Sequence, residues 1–119
     1  MMQNLKQFLK SNCRNAYISE PGFAHLYVRH GQRYINGKLY QNVFDIANVE
    51  VRNKGKGTFS KFVEKLRNNY PDMILYVECV LNPRFGGRLL QLDFKQHENN
   101  MPDFAPKSYY WIPENYDAI

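Results

Sequence analysis

Two periodicities divide the chain. Phe23 to Arg29 alternates weakly and is rich in Tyr, Val and Leu, which predicts a strand. His30-Gly31 marks a turn, and Arg33-Tyr34-Ile35 resumes extended structure. Asn36-Gly37 is the strongest hairpin signal, because both residues tolerate positive φ. Leu39 to Val51 again reads as extended, with a break near Gln41-Asn42. Then the period changes. Phe59, Phe62, Val63, Leu66 and Tyr70 fall at helical spacing, so a helix is expected over Thr58 to Asn69, stopped by Asn68-Asn69-Tyr70-Pro71. Met73 to Leu81 is an apolar run bounded by turns and fits a buried parallel strand. Strand, helix and strand in this order imply a right-handed βαβ crossover. Asn82-Pro83 opens a second helix, with Asn as the cap and Phe85, Leu89 and Leu92 on the buried side. Gly86-Gly87 weakens it by roughly 1 kcal/mol per Gly relative to Ala.

The flanks carry weaker signals. Met2 to Ser11 predicts a short helix with a stripe of Leu5, Phe8 and Leu9. Asn15 to Glu20 reads as a short strand or loop, and Glu20-Pro21-Gly22 as a turn. Phe94 to His97 predicts a strand, Glu98 to Lys107 a loop, and Ser108 to Ile112 a final strand. The expectation is one domain over residues 1–119, of α/β class. Its mixed sheet would join antiparallel N-terminal strands to one parallel crossover.

Candidate chemistry gathers where the strand run meets the first long helix, in Val49-Glu50-Val51-Arg52-Asn53-Lys54-Gly55-Lys56-Gly57-Thr58. A strand end, a glycine-containing basic loop and a helix start bring unpaired N–H groups together at the positive end of a helix dipole. Such a helix start is a ready site for a phosphate; the alternative is a plain β-turn-α connection with surface lysines. Gly55 and Gly57 permit positive φ and close approach, while Arg52, Lys54 and Lys56 add charge. A P-loop is excluded, because its first Gly would fall on Glu50. The dinucleotide fingerprint fails as well, at Ser60.

The spacing Arg52-x-x-Gly55-x-Gly57 resembles the pyrophosphate signature of the GNAT superfamily, the acyl-CoA-dependent N-acyltransferases. A second segment is similar too. In that family a strand ends at an Asn, a helix follows, and a Gly-Phe pair closes it; Asn82 and Phe94 keep that spacing, with Asp93 at the Gly. The resemblance covers roughly Leu39 to Phe94. It implies a sheet splayed between the signature strand and the next parallel strand, with acetyl-CoA as co-substrate. The pantetheine arm would lie against Val49 and Val51, and the pyrophosphate on the amides from Asn53 to Thr58. Asn82 would face the gap or serve only as a helix cap, and Arg84 would reach the cofactor or pair locally. An amine of the acceptor would attack the thioester directly. The family often supplies an acid from a Tyr seven residues past the Asn, which here is Leu89. That role would pass to Tyr109, Tyr110 or water. Alternation sends Tyr109 and Tyr110 to opposite faces.

For a base, Glu78 comes first, near the end of an apolar strand; Glu50 follows, with Asp45 behind them. The structural alternative pairs Glu78 with Arg84 or Arg88. His25, His30 and His97 lack metal-ligand spacing, so no metal is expected.

Composition narrows the partners. A net charge of +5 suits an anionic partner, either nucleic acid or a polyphosphate cofactor. The basic residues do not cluster beyond the loop, which ranks a nucleic-acid module below an acyltransferase or a CoA-binding domain without catalysis. No apolar run approaches the ~18 residues of a membrane span. Met1 to Asn12 has no signal-peptide core, and Cys13 and Cys79 read as free thiols in a reducing cytosol, a disulfide between them being the alternative. The acceptor stays open: a small amine, an amino sugar, a protein lysine or an N-terminus. The chain is short for the family, which points to a partner or a homodimer completing the site.

Overall fold

The structure, a computed structural model, describes residues 3–53, 55–80, 82–97, 105–114 and 116. In chain order the elements are β1 (Gln3–Asn4), α1 (Leu5–Lys10), β2 (Asn15–Ser19), β3 (Phe23–Ile35), β4 (Lys38–Val51), α2 (Thr58–Asn69), β5 (Ile74–Val80), α3 (Pro83–Gln91), β6 (Lys95–Gln96) and β7 (Lys107–Trp111). The strands form one mixed sheet in the order β1-β2-β3-β4-β5-β7-β6. The βαβ crossover is as expected, with β4 and β5 parallel and α2 between them in sequence. The expected loop over Glu98 to Lys107 falls largely outside the described residues, as do Lys54 and Leu81.

Asn36 and Gly37 turn the β3–β4 hairpin with φ of 50° and 84°, the left-handed pair that the dipeptide predicts. The expected turn at His30-Gly31 and break near Gln41-Asn42 do not interrupt the strands. Instead the register slips between Gly31↔Val43 and Arg33↔Tyr40, and Asn42 takes φ 56°. A bulge absorbs the irregularity, so turn-forming residues bend the hairpin rather than end it. A second slip, between Val28↔Ile46 and Tyr27↔Asn48, leaves Ala47 extra on β4.

Every helix covers the same face of the sheet. Phe8 of α1, Phe62 and Leu66 of α2 and Leu89 of α3 share a core with Leu26, Phe44, Ile46, Leu75 and Val77. Leu89 is fully buried there. On the other face Ile35, Val43, Ile74 and Tyr76 form a small cluster that includes no residue from a described helix. Below, the two sides are the helix face and the open face. No helix among the described residues is long and apolar enough to cross a membrane.

Candidate functional site

The parallel pairing of β4 with β5 runs from Val43↔Ile74 to Ile46↔Val77 and ends there. Ala47 to Val51 continue β4 with no β5 partner among the described residues. The parting coincides with the bulge at Ala47, and bulges increase twist and redirect a strand. A cleft of about 600 Å³ lies along the unpaired strand end. Val49 and Val51 form its strand side, and both also pack on the helix-face core. Asn53, Gly55, Lys56, Gly57 and Thr58 form its loop side, and Asn82 and Arg84 its far wall.

The start of α2 opens into this cleft unprotected. Gly57 is the cap, with φ 71° and no side chain to accept from the first turn. The first helical bond runs from the Lys61 N–H to the Gly57 carbonyl, so the amides of Thr58, Phe59 and Ser60 have no intrahelical acceptor. The first turn has no acidic side chain to offset the dipole. Gly55 is also left-handed, at φ 83°. A Cβ on either Gly would meet nothing within 4 Å, so backbone conformation rather than crowding selects glycine. Asn82 caps α3 by accepting the Arg84 N–H at 2.9 Å while it also lines the cleft.

Arg52 stands apart from this wall. Its side chain is exposed, and its backbone N–H donates to the Gly22 carbonyl at 2.9 Å. Lys54 lies outside the described residues. Glu50 lines the cleft. Arg88 does too, and the sequence reading had it only as a partner for Glu78. Its signal was the i, i+4 spacing from Arg84 on one helix face.

Glu78, Tyr109 and Tyr110 do not line the cleft. Tyr109 is buried on the helix face, with its ring end against Gly86 of α3. Tyr110 lies on the open face, where its hydroxyl accepts from Asn36 Nδ2 at 3.1 Å. The two tyrosines therefore take opposite faces as alternation requires, and neither reaches the cleft.

Glu78 follows Val77, the last β5 residue paired with β4, and its carboxylate meets Arg29 at 2.9 Å and Arg33 at 3.3 Å. The expected partners Arg84 and Arg88 are replaced by these two. The reason is parity: Ile74, Tyr76 and Glu78 share the open face, whereas α3 packs on the helix face. Arg33 spans two carboxyls, since its Nη1 also donates to Asp45 Oδ2 at 2.8 Å. Its guanidinium lies 3.9 Å from the Tyr76 ring centroid. Asp45 is buried, and its Oδ1 has no donor among the described residues. Burial and then the adjoining Glu78 carboxyl push the Asp45 pKa up to about 8, against the pull of Arg33 and Arg29.

Tyr76 extends this network through its hydroxyl, 2.6 Å from His97 Nδ1. The Asn36 N–H donates to His97 Nε2 at 3.3 Å, and burial followed by the Arg33 charge lowers the His97 pKa. Nothing local in the sequence announced Arg29, Arg33 and Asp45 as one cluster.

Comparison with protein-family models, curated proteins and solved structures finds no match.

Proposed function

We propose that the cleft binds acetyl-CoA and that the chain transfers its acetyl group to a primary amine, in the manner of the GNAT acyltransferases its loop resembles. One observation carries the proposal: two parallel strands part at a bulge directly beside an uncapped, glycine-bounded helix start. The amides of Thr58, Phe59 and Ser60, with Lys56, Arg84 and Arg88 around them, suit a pyrophosphate. The unpaired β4 edge beyond Ala47 suits the pantetheine arm, which carries amides that need backbone partners. Asp93 supports the resemblance independently. It stands where the family has Gly, and its φ of 70° is the conformation that favours Gly.

In the reaction the amine nitrogen bonds to the thioester carbonyl carbon, the C–S bond breaks, and the CoA thiolate leaves with the electron pair. The amine surrenders a proton to a base, for which Glu78, the residue after the last β5 pair with β4, is the candidate. With Leu89 buried and Tyr109 against Gly86, the thiolate takes its proton from water. It leaves moderately well unaided.

A second reading, a CoA-binding domain without catalysis, is favoured by Leu89 and by the two arginines that occupy Glu78. Thermal denaturation with acetyl-CoA, CoA or a single-stranded oligonucleotide tests the proposal, since a ligand of the folded state raises the midpoint. Acetyl-CoA and CoA are expected to raise it and the oligonucleotide to leave it. A shift with the oligonucleotide alone overturns the proposal. Firm CoA binding without transfer to any amine selects the second reading.

A further inference from the structure

We infer that the open-face pocket around Gly31 is the acceptor site, and that it takes a small molecule bearing both a primary amine and a carboxylate. The inference rests on the acetyl-transfer reading above. The pocket holds about 610 Å³ and is lined by Arg14, Arg29, Gly31, Arg33, Val43 and Asp45 among others. It exists because residue 31 has no side chain. A Cβ there would meet nothing within 4 Å, and the backbone of Gly31 is not among the left-handed positions. Conformation therefore does not require glycine, and the missing side chain leaves the open face hollow.

The pocket is polarised from end to end. On the β2 side stands Arg14, while Arg29, across from Asn15, reaches toward β5 and meets Glu78 at 2.9 Å. Arg14 has no ion-pair partner among the described residues, and the side chain of Arg29 is about half exposed. On the β4 side stands Asp45, directly across from Arg29, with its buried Oδ1 unpartnered. Glu78 adjoins Asp45 through the shared Arg33, at the point where β4 and β5 part. Arg29 and Arg33 are engaged by Glu78 and Asp45, which leaves Arg14 as the lining guanidinium without an ion pair among the described residues. A single carboxylate offsets it, and its two oxygens match the planar fork of an arginine. At the other end an ammonium group would meet Asp45 and Glu78, next to the gap where the thioester would lie. Strands are about 4.8 Å apart and β3 lies between β2 and β4, so Arg14 and Asp45 are separated by roughly 10 Å.

Calorimetric titration of the whole chain with glycine, β-alanine, 4-aminobutyrate, 6-aminohexanoate and lysine tests this without cofactor. At least one is expected to bind, with affinity that depends on chain length. Its N-acetylated and carboxamide forms should bind about 10- to 100-fold more weakly, the loss of one charge-assisted contact. Arg14→Ala should weaken the parent compound by a similar factor. Gly31→Leu, which fills the hollow, should abolish its binding while acetyl-CoA still shifts the melting midpoint. Two results overturn the inference: no member of the series binds, or the bound member is indifferent to both Arg14→Ala and Gly31→Leu. Amino-carboxylate binding lost in Gly31→Leu supports the site even where acetyl-CoA fails to bind. In that case the acetyl-transfer reading alone falls.

Discussion

The two hollows of this fold are built from different material. The helix-face cleft is made largely of backbone: the amides at the start of α2, the left-handed Gly55 and Gly57, and the unpaired edge of β4. The open-face pocket is made of side-chain charge, with Arg29, Arg33, Asp45 and Glu78 held in mutual contact. Backbone amides are fixed by the helix and stay in place when a neighbouring side chain changes. Buried charges hold only as a set, because removing one leaves its partner uncompensated. The cleft should therefore tolerate side-chain substitution except where a new Cβ alters conformation or enters it. The pocket should fail with a single truncation.

The largest expected effect follows from that contrast. Glu78→Gln should lower acetyl transfer by about 10²- to 10⁴-fold at neutral pH, the usual scale of a lost general base. Acetyl-CoA should still raise the melting midpoint, because Glu78 lies outside the cleft. Unchanged turnover, together with an inactive Glu50→Gln, would move the base to the cleft side. Loss of cooperative folding would instead assign Glu78 to holding Arg29 and Arg33.

Gly57→Val attacks the other site. Valine resists the left-handed conformation that residue 57 adopts, at a stability cost of about 1–2 kcal/mol. It also puts a branched side chain at the helix start, and acetyl-CoA affinity should fall by about 10- to 100-fold, the scale of one or two charge-assisted contacts. Gly57→Asn separates the causes, since Asn tolerates positive φ. It should keep most of the stability and still bind weakly. Normal CoA binding by both variants would remove the loop as the phosphate site.

The same contrast explains what could be read from the residues. Helix start, cap and glycines lie within a few positions of one another, so Gly57-Thr58 and Asn82-Pro83 announced both helix termini. The parity of Tyr109 and Tyr110 also followed from a local rule. Glu78 was different. Its partners Arg29 and Arg33 lie 49 and 45 residues away in sequence. Which residues meet depends on the register of β3 on β4 and of β4 on β5, which no local segment of the chain carries. Sequence proximity suggested Arg84 and Arg88 instead, and strand register decided otherwise. The mixed sheet and its crossover were legible; the charged cluster was a product of long-range pairing.

Asp45 offers a sharper test of the pocket. Its pKa rises from 3.8 to about 8 on folding, so between those values the folded chain holds a proton that the unfolded chain releases. The stability contributed by this group is complete below about pH 4 and is lost as pH rises toward 8. Urea unfolding of wild type should therefore show a downward slope from about pH 5 to pH 8 that Asp45→Asn lacks. The difference is at most about 1.4 kcal/mol per pH unit, the value for one whole proton. Parallel slopes would mean that Arg33 keeps Asp45 ionised throughout.

The smallest effects distinguish two adjacent glycines of α3. A Cβ at Gly86 would lie 2.5 Å from the Tyr109 hydroxyl, whereas one at Gly87 would meet nothing within 4 Å. Both residues weaken the helix by their propensity, so Gly87→Ala should stabilise the fold by about 0.5–1 kcal/mol. At Gly86 the same gain is opposed by overpacking against a buried ring, which costs about 1–3 kcal/mol, and the net change should be destabilising. Tyr109→Phe removes the clashing oxygen, so the Gly86→Ala loss should shrink in that background. A double-mutant cycle by urea unfolding measures the coupling. Tyr109→Phe and Tyr110→Phe should also leave acetyl transfer near wild type, because neither ring lines the cleft. A large rate loss in Tyr109→Phe, with Gly86→Ala additive to it, would mean that the hydroxyl turns away from α3 and reaches the thioester.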